Sequence, residues 1–426
     1  MSQNNVVVVT VDSLRADHCG FLSGDDGLTP TLDCLAADGV VFETALAPGP
    51  RTPSAMSAAF TGEFLYTEGH GVEEWRGRRR RIADHLARFR TIPERLRGRG
   101  YETVGFNTNP WTTVDTGFDT GFDSFEDVGF GEDLSQVTDS SVVRLVDRVL
   151  DATDNNHWFR WDNKKYWFAH WPQFYGRIRA ALHEASEPYF AWIFLTDSHL
   201  PYVVPGRFRV ETTAPEMYYS AFRQNRHAGD GDLPDHVVTL LRRAYRDAVR
   251  SVDCFVERLC VDVGDADTGF VIHADHGEAF GEHGTFGHQR SFYEENVRVP
   301  LLLANTGRAE RVPGLVTLRS LPAIVERLTR ERGDRSFADL TVGTAATTTE
   351  NREVHAIRYG DWKYVDDGPA LYHLGRDPGE RTDIATDRPE VTATLERVAA
   401  TYRRHQTEQL AIDGAARRLA DEEIDG

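Results

Sequence analysis

Acidic and imidazole side chains stand close together in a glycine-rich stretch that follows an apolar run. Asp275 and His276 come directly after Val271-Ile-His-Ala, and His283 and His288 follow in the same stretch. The apolar run predicts a buried strand that presents the first two side chains at its carboxyl end. Carboxylate and imidazole groups together bind divalent metal ions. The stretch therefore predicts a metal site, with an ordinary glycine-rich turn as the alternative.

A further acid, Asp12, ends the apolar run that begins at Asn5. Five successive apolar or β-branched residues predict a buried parallel strand that carries Asp12 to its tip. Ligands of open α/β sheets bind outside the carboxyl ends of the strands. We therefore expect Asp12 to meet Asp275 and His276 at one edge of a sheet.

Thr52 begins a segment with residues that are typical of the two ends of a helix. Pro53 suits the first helical position, and Gly62 would end the helix or follow it. Thr52 would then lie at the positive end of the helix dipole, where an anion binds. A threonine at this place is either an N-cap or, beside a metal ion, a nucleophile.

The elements that must position these residues alternate along the chain. Helices are predicted over Pro93–Arg99 and Leu240–Leu259. Strands are predicted over Val6–Val11, Val40–Phe42, Thr103–Phe106, Tyr189–Leu195, Phe270–His273 and Pro300–Leu303. Alternation of this kind predicts an α/β fold with a mainly parallel sheet and helices on both faces.

The pattern changes after about residue 350. Short strands are predicted over Glu353–Tyr359, Trp362–Val365 and Ala370–Leu374, and a polar helix over Pro389–Arg404. We expect a catalytic domain over residues 1–345 and a small antiparallel subdomain with a capping helix over residues 346–410. Residues 411–426 are expected to form a flexible tail.

Six blocks, in order along the chain, resemble the sulfatase branch of the alkaline phosphatase superfamily. They are Asp12-Ser-Leu-Arg15, Thr52-Pro53-Ser54 with Thr61-Gly62, Asp197-Ser-His199-Leu-Pro201-Tyr202, Asp275 to His288, Tyr293 to Pro300, and Gly360 to Glu380. The resemblance implies an alkaline-phosphatase-like three-layer sandwich with a mainly parallel central sheet and a small C-terminal antiparallel subdomain.

The resemblance also implies roles for individual residues. A divalent cation, calcium or magnesium first and zinc or manganese as alternatives, would be held by Asp12, Asp275 and His276. Thr52 occupies the place of the nucleophile. His199 would protonate the leaving group, and His288 would contact the transferred group or a second metal. The residues expected to bind substrate are Arg15, Asn107 and Lys363.

The chain departs from the family pattern around the nucleophile. Thr52 replaces the cysteine or serine that sulfatases oxidise to formylglycine, Met56 replaces an arginine, and Asn107 replaces a lysine. We therefore expect a metal-dependent hydrolase of sulfate or of phosphate and phosphonate esters, with a small molecule or glycan ester as substrate. The alternatives are a phospho-group transferase acting on a glycan or lipid, and a catalytically weak binding protein.

The composition points to a salt-adapted chain. The net charge is −19, and only three of the 48 basic residues are lysines. A surface rich in carboxylates suits molar salt, which screens its self-repulsion, and it argues against general nucleic-acid binding. No signal or membrane-spanning segment is apparent, so we expect a cytoplasmic protein. The four dispersed cysteines are expected to be reduced and mostly buried.

Two segments have unusual composition. Residues 76–99 contain ten arginines, which would bind an anionic polymer or an acidic partner, or form a solvated helix with local ion pairs. Residues 157–175 hold four of the eight tryptophans. This insertion would be an aromatic flap that meets a sugar, a lipid surface or a second subunit in a homo-oligomer, or a satellite hydrophobic cluster.

Overall fold

The computed structural model describes residues 4–23, 27–65, 75–128, 170–226, 233–265, 267–288, 291–330, 337–348, 355–366 and 368–424. In these ranges the strands are β1 Asn5–Val11, β2 Val40–Leu46, β3 Glu102–Asn107, β4 Ser124–Asp127, β5 Tyr189–Leu195, β6 Thr268–Ala274, β7 Ala279–Phe280, β8 Phe286–Gly287, β9 Arg298–Val299, β10 Leu301–Ala304, β11 Glu310–Thr317, β12 Thr344–Thr348, β13 His355–Tyr359, β14 Trp362–Val365 and β15 Ala370–His373.

The helices of the same ranges are α1 Gly20–Ser23, α2 Pro30–Ala37, α3 Thr52–Thr61, α4 Trp75–Arg88, α5 Ile92–Arg97, α6 Trp171–Glu184, α7 Ala214–Arg226, α8 Asp235–Val263, α9 Glu294–Val297, α10 Leu321–Leu328 and α11 Pro389–Ile424. The predicted strands and helices are all present, and their ends differ from the sequence expectation by a few residues, except that α8 and α11 are longer.

The central sheet is mostly parallel, as the sequence predicts. Its order is β11-β2-β10-β6-β1-β5-β3-β4, with β9 paired to β2. Only β9 and β10 run antiparallel to their neighbours. Every residue of β1, β5 and β6 is buried, which explains why these strands read as continuous apolar runs.

The register of the three central strands places the predicted site at one edge. Val11, the last residue of β1, pairs with Leu195 of β5 and with Ala274 of β6. Asp12 and Asp275 therefore leave the sheet side by side. Their positions follow directly from parallel pairing, because parallel strands end at the same edge.

Two groups of helices accompany the sheet. In one group α8 contacts α2, α6 and α7; in the other α3 contacts α4 and α10. This arrangement agrees with the predicted α/β sandwich. Helix α3 is buried along its whole length, so the residues at its amino end are held by core packing.

The C-terminal subdomain is an antiparallel sheet in the order β12-β13-β14-β15. Helix α11 packs on it through a core that includes Ile357, Tyr364, Leu371, Leu395 and Ala399. Strand β12 begins at Thr344, so the small sheet crosses the boundary predicted after residue 345. The backbone of α11 stays helical to Ile424, past the point where the sequence predicts a flexible tail.

Several residues of the two segments of unusual composition have partners within the protein. Arginines of α4, α5 and the turn after α5 form ion pairs with acids of other segments, as in Arg79–Asp115 at 3.3 Å and Arg99–Glu326 at 2.7 Å. Residues 157–169 of the tryptophan-rich insertion lie outside the described residues. The rest begins α6, where Trp171 is buried and donates its indole N–H to the Ser251 carbonyl at 2.9 Å.

Two general expectations are also checked by the structure. Of the four free cysteines, Cys19 is buried and Cys34 is exposed, with Cys254 and Cys260 half-buried, so the expectation that most are buried is wrong. Among the described helices, none combines the length and the apolar character that a membrane crossing needs.

Candidate functional site

Three potential metal ligands converge at the carboxyl edge of the central sheet. Asp12 follows β1, and Asp275 and His276 follow β6. All three side chains are buried, and one ligand atom from each lies within 4.8 Å of the others. This is the grouping that the sequence predicts, and it is the only such cluster of three or more histidine, cysteine or acidic side chains within the described ranges.

The contacts of the three side chains fit a divalent cation. The Nε2 atom of His276 lies 3.4 Å from Asp275 Oδ2 and 3.7 Å from Asp12 Oδ1. The Nδ1 atom of His276 contacts the Gly277 carbonyl at 2.9 Å, which fixes the ring with Nε2 toward the acids. Asp275 Oδ2 is buried without a hydrogen-bond partner in the described structure. An orphaned buried oxygen beside a second carboxylate fits a site that a cation would complete.

The electrostatics of the cluster agree with this fit. Burial raises the pKa of Asp275 to about 7. Burial and the nearby Asp275 charge also raise the pKa of Asp12. Burial lowers the pKa of His276 to about 3, so the imidazole is neutral near pH 7. The two acids are costly to ionise and the imidazole is neutral. A cation that replaces the proton of an acid would therefore stabilise the ionised cluster.

Thr52 reaches the same point from helix α3. The helix begins at Thr52 with proline next in sequence and ends at Gly62, whose φ of 87° is left-handed. The carboxyl end is the predicted one. The helix begins one residue earlier than predicted, with Arg51 as the N-cap residue, so the N-cap alternative for Thr52 is wrong. The hydroxyl oxygen of Thr52 lies 3.3 Å from His276 Nε2. A hydroxyl at the amino end of a helix and beside a candidate metal ligand has the surroundings that would suit a nucleophile.

Asn109 is a site residue that sequence reasoning missed. It lies in the turn after β3 and donates its side-chain N–H to Asp12 Oδ2 at 2.6 Å; its Nδ2 atom is also 3.4 Å from the Thr52 hydroxyl. Asn107 holds this turn by accepting from the Asn109 backbone N–H at 2.9 Å, and its amide donates to Asp127 at 2.8 Å. Asn107 therefore positions Asn109, and its contacts do not support the substrate-binding role predicted for it.

Two further imidazoles stand beside the cluster. The His288 ring lies 4.4 Å from that of His276 and 5.0 Å from that of His199, measured between centroids. The Nδ1 atom of His288 is 3.3 Å from the carboxylate of Glu278, which the sequence analysis did not single out. The predicted catalytic residues Thr52, His199 and His288 are thus grouped with the metal ligands.

The two imidazoles differ in charge. Burial disfavours the charged form of His199, but the carboxylates of Asp12 and Glu278 outweigh it and raise the pKa of His199. Burial, and then the nearby charge of His199, lower the pKa of His288 to about 3. The protonated form is therefore more favoured in His199 than in His288, and His288 is neutral near pH 7.

Two residues predicted to bind substrate are held by protein carboxylates. Arg15 forms a fork with Asp17 at 2.6 and 2.8 Å and contacts Glu282 at 2.8 Å. The ammonium of Lys363 is buried between Glu294 at 3.1 Å and Glu380 at 2.8 Å. These contacts match both cations with acids and do not support a direct role in binding an anionic substrate.

Arg51 is a cation close to the site that sequence reasoning did not assign. It precedes Thr52 as the N-terminal cap residue of α3 and is half-buried. Its charge contributes to the lowered pKa of His288. Arg51 therefore supplies positive charge on the side of the cluster where Thr52 and His288 stand.

The fold and the grouped residues define an ester hydrolase of the sulfatase type. The sequence model of the sulfatase family matches residues 4–340, so the chain belongs to the sulfatase family. It is 22% identical to arylsulfatase K of Rattus norvegicus, over 96% of this chain and 81% of the relative. It is 23% identical to a Δ4,5-hexuronate-2-O-sulfatase of Bacteroides thetaiotaomicron, over 90% of this chain and 85% of the relative.

The comparison with solved structures shows the same fold in a phosphonate monoester hydrolase. The crystal structure of a phosphonate monoester hydrolase of Agrobacterium radiobacter matches with a TM-score of 0.67 and 19% identity, covering 95% of this chain and 96% of that one. At this identity the match shows the shared fold. The sequence relatives named above are sulfatases, and the predicted family and fold class are confirmed.

Proposed function

We propose that this protein is a metal-dependent hydrolase of sulfate or of phosphodiester and phosphonate esters, with Thr52 as the nucleophile. The observation that carries the proposal is the position of the Thr52 hydroxyl. Its oxygen lies 3.3 Å from His276 Nε2 and 3.4 Å from Asn109 Nδ2, next to a buried cluster of two acids and an imidazole.

The residues support a covalent two-step reaction. Thr52 Oγ1 gives its proton to solvent water and attacks the sulfur or phosphorus atom, and the ester oxygen leaves with a proton from His199. Water then attacks the same sulfur or phosphorus atom and gives a proton to His199, and the bond to Thr52 Oγ1 breaks as this oxygen takes a proton back from solvent. A divalent cation held by Asp12, Asp275 and His276 would supply Lewis-acid stabilisation of the hydroxyl and of the transferring group.

The side chains also bear on which ester is cleaved. Thr52 cannot provide the hydrated aldehyde that formylglycine supplies, so a sulfated Thr52 must be cleaved by water. Met56 is fully buried and apolar where the family has an arginine, and Asn107 replaces a lysine. Among the described residues, Arg51 brings a positive charge close to the nucleophile. A singly charged phosphodiester or phosphonate monoester needs fewer cations than a doubly charged group, and we rank these esters level with sulfate esters.

The donor set leaves a choice of metal that experiment can decide. Carboxylates suit calcium, magnesium and manganese, while an imidazole ligand suits zinc and is also compatible with manganese. We propose a single divalent cation and a sugar-linked ester as substrate. Support for the sugar comes from the hexuronate sulfatase among the relatives.

The test is a panel of aryl sulfate, aryl phosphodiester and aryl phosphonate esters, assayed in molar potassium chloride with calcium, magnesium, manganese or zinc. We expect metal-dependent turnover of at least one ester and none with the chelated protein. Fast aryl sulfate turnover with no phosphodiester or phosphonate turnover would reject the ranking. Inertness toward all three esters with every metal would reject the proposed hydrolase.

A further inference from the structure

Lys363 stands in the middle of a buried ion cluster that joins the C-terminal subdomain to helix α9. Its side chain is 3% exposed and projects from β14 of the C-terminal subdomain. Its ammonium contacts Glu294, the first residue of α9, and Glu380, which follows β15. Arg358 adds a second cation 3.3 Å from Glu294. The cluster is balanced in charge, since two cations face two carboxylates.

The same cluster also holds the backbone of α9. The second oxygen of Glu380 accepts the backbone N–H of Glu294 at 2.7 Å. Glu294 is therefore held by two contacts: its carboxylate pairs with Lys363, and its backbone N–H donates to Glu380. Because α9 has only four residues, its place depends on such outside contacts more than on its own helical hydrogen bonds.

Helix α9 in turn supports the loop that carries His276. The backbone N–H of Gly277 donates to the Asn296 carbonyl, and that of Glu278 to the Glu295 carbonyl, both at 2.8 Å. The approach is close, since a Cβ atom on Gly277 would lie 2.0 Å from the Glu295 carbonyl oxygen. The Gly277 carbonyl is the group that fixes the ring of His276.

The other end of the metal loop rests on the same helix. Asn296 donates its side-chain N–H to the Gly287 carbonyl at 3.1 Å, one residue before His288. His283 contacts the Glu295 carboxylate at 2.7 Å and the Gly379 carbonyl of the C-terminal subdomain at 3.1 Å. Both ends of the loop from Gly277 to Gly287 are therefore hydrogen-bonded to residues 295 and 296. These residues follow Glu294, which contacts Lys363.

From this chain of contacts we propose that Lys363 is a positioning residue for the metal ligand His276, acting through Glu294, α9 and Gly277. The inference rests on the proposed metal site and assigns the C-terminal subdomain a part in building it. Loss of the Lys363 charge leaves Glu294 and Glu380 facing each other without their shared cation, so α9 shifts and the ring of His276 loses its fixed direction. Substitution of a residue that orients a metal ligand typically changes the metal affinity by about 10- to 100-fold.

The test is direct binding of metal to the purified full-length chain, without substrate. Manganese is titrated calorimetrically, and cobalt is added as a probe whose visible absorption reports ligand geometry. The variants are Lys363→Met, Glu294→Gln and the double variant. Ile357→Ala, in the same small sheet but outside the ion cluster, is the control for general loosening of the subdomain.

We expect the manganese dissociation constant of Lys363→Met to rise about 10- to 100-fold, with an altered cobalt spectrum. In the Glu294→Gln background the lysine substitution should add little, because the pathway is already broken. Ile357→Ala should bind as the parent does. If Lys363→Met is too unstable to purify, Glu294→Gln alone carries the test, since it breaks the same link while leaving fewer unpaired charges.

Two results overturn the inference in distinguishable ways. Parent-like binding and spectra in both Lys363→Met and Glu294→Gln would show that the cluster does not position His276, while leaving the metal site intact. Absence of manganese and cobalt binding by the parent would overturn the metal site of the proposed function, and this inference with it. An equal loss of affinity in Ile357→Ala would reduce the effect to general destabilisation and would also reject the positioning role.

Discussion

The hydroxyl oxygen of Thr52 lies 3.3 Å from the Nε2 atom of His276, although the two residues are 224 positions apart in the chain. The contact brings the amino end of α3 against the loop after β6. It means that the proposed nucleophile and a proposed metal ligand share one small space. Because Thr52 is not one of the three proposed metal ligands, removal of its hydroxyl is expected to abolish the chemistry while metal binding remains, which allows the two roles to be separated.

Replacement of Thr52 by alanine tests the nucleophile. We expect the rate with whichever ester is turned over to fall by at least about 10³-fold, because no hydroxyl remains to form the covalent intermediate. Ser54→Ala is the matched control: its hydroxyl donates to the Arg51 carbonyl and plays no part in the cluster. Loss of activity in the Ser54 variant with a parent-like Thr52 variant would show that the nucleophile has been assigned two residues too early.

Asn109 offers a second test of the site. Its amide donates to Asp12 and lies beside the Thr52 hydroxyl, so Asn109→Ala should lower kcat by about 10²-fold, as loss of one preorganised donor does. Asn109→Asp should be slower still, because a third carboxylate would repel the anionic substrate. Steady-state kinetics of both variants provide the measurement. A parent-like rate for Asn109→Asp would exclude a donor role for this residue.

The raised pKa of Asp275 gives a pH dependence in the metal-free protein. Its folded pKa is about 7, above the value of about 3.9 for an unfolded aspartate. The protonated acid is thus favoured by folding, so its contribution is complete below about pH 4 and is lost as the pH rises through 7. Asp275→Asn should therefore become progressively more stable than the metal-free parent over this window. Denaturant unfolding of both proteins in chelator, from pH 4.5 to 8, measures the difference.

The same window should govern metal binding. A cation must displace the proton of Asp275, so the affinity for manganese should rise between about pH 5 and 7.5. His276, with a pKa lowered to about 3, is already neutral throughout and adds no further dependence. Calorimetry in buffers of different ionisation enthalpy reports the released proton. Affinity that does not vary with pH would contradict the raised pKa.

Salt dependence tests the habitat inferred from composition. With a net charge of −19 and three lysines among 48 basic residues, the folded chain repels itself in dilute buffer. Screening approaches its limit near 1 M, where the Debye length is about 3 Å. We expect Tm and activity to rise steeply between 0.1 and about 1 M potassium chloride. Sucrose of equal osmolality is the control, and an unchanged Tm in dilute buffer would reject salt adaptation.

The sequence predicted the parts of the site that depend on local pattern. Asp12 and Asp275 each end an apolar run, and parallel pairing places such ends together. Thr52 was found because proline and glycine mark the ends of a short helix. These signals need no knowledge of which distant segments meet, since the fold class supplies the meeting point.

The residues whose contacts differ from the sequence expectation, or that the sequence analysis missed, depend on distant partners. Arg15 meets Glu282, 267 positions away, and Lys363 meets Glu294, 69 positions away. The positions of Glu282 and Glu294 in the sequence do not indicate that they are partners of these cations. Arg15 and Lys363 were therefore predicted to bind an anionic substrate. Asn109 was missed for the opposite reason: it lies in a turn two residues past the position that the family pattern marks, and only the geometry of that turn brings it to Asp12.

Burial of α3 has a consequence for how the reactive centre behaves in time. All ten residues of this helix are enclosed by the protein, so no side of it faces solvent. Its interior amides cannot exchange by fraying at a surface and must wait for a large cooperative opening. Deuterium uptake in residues 56–61 should therefore be among the slowest in the chain. Thr52, the proposed nucleophile, would then lie on one of the last helices to exchange its amide protons with solvent. Loss of activity on heating would therefore report global unfolding.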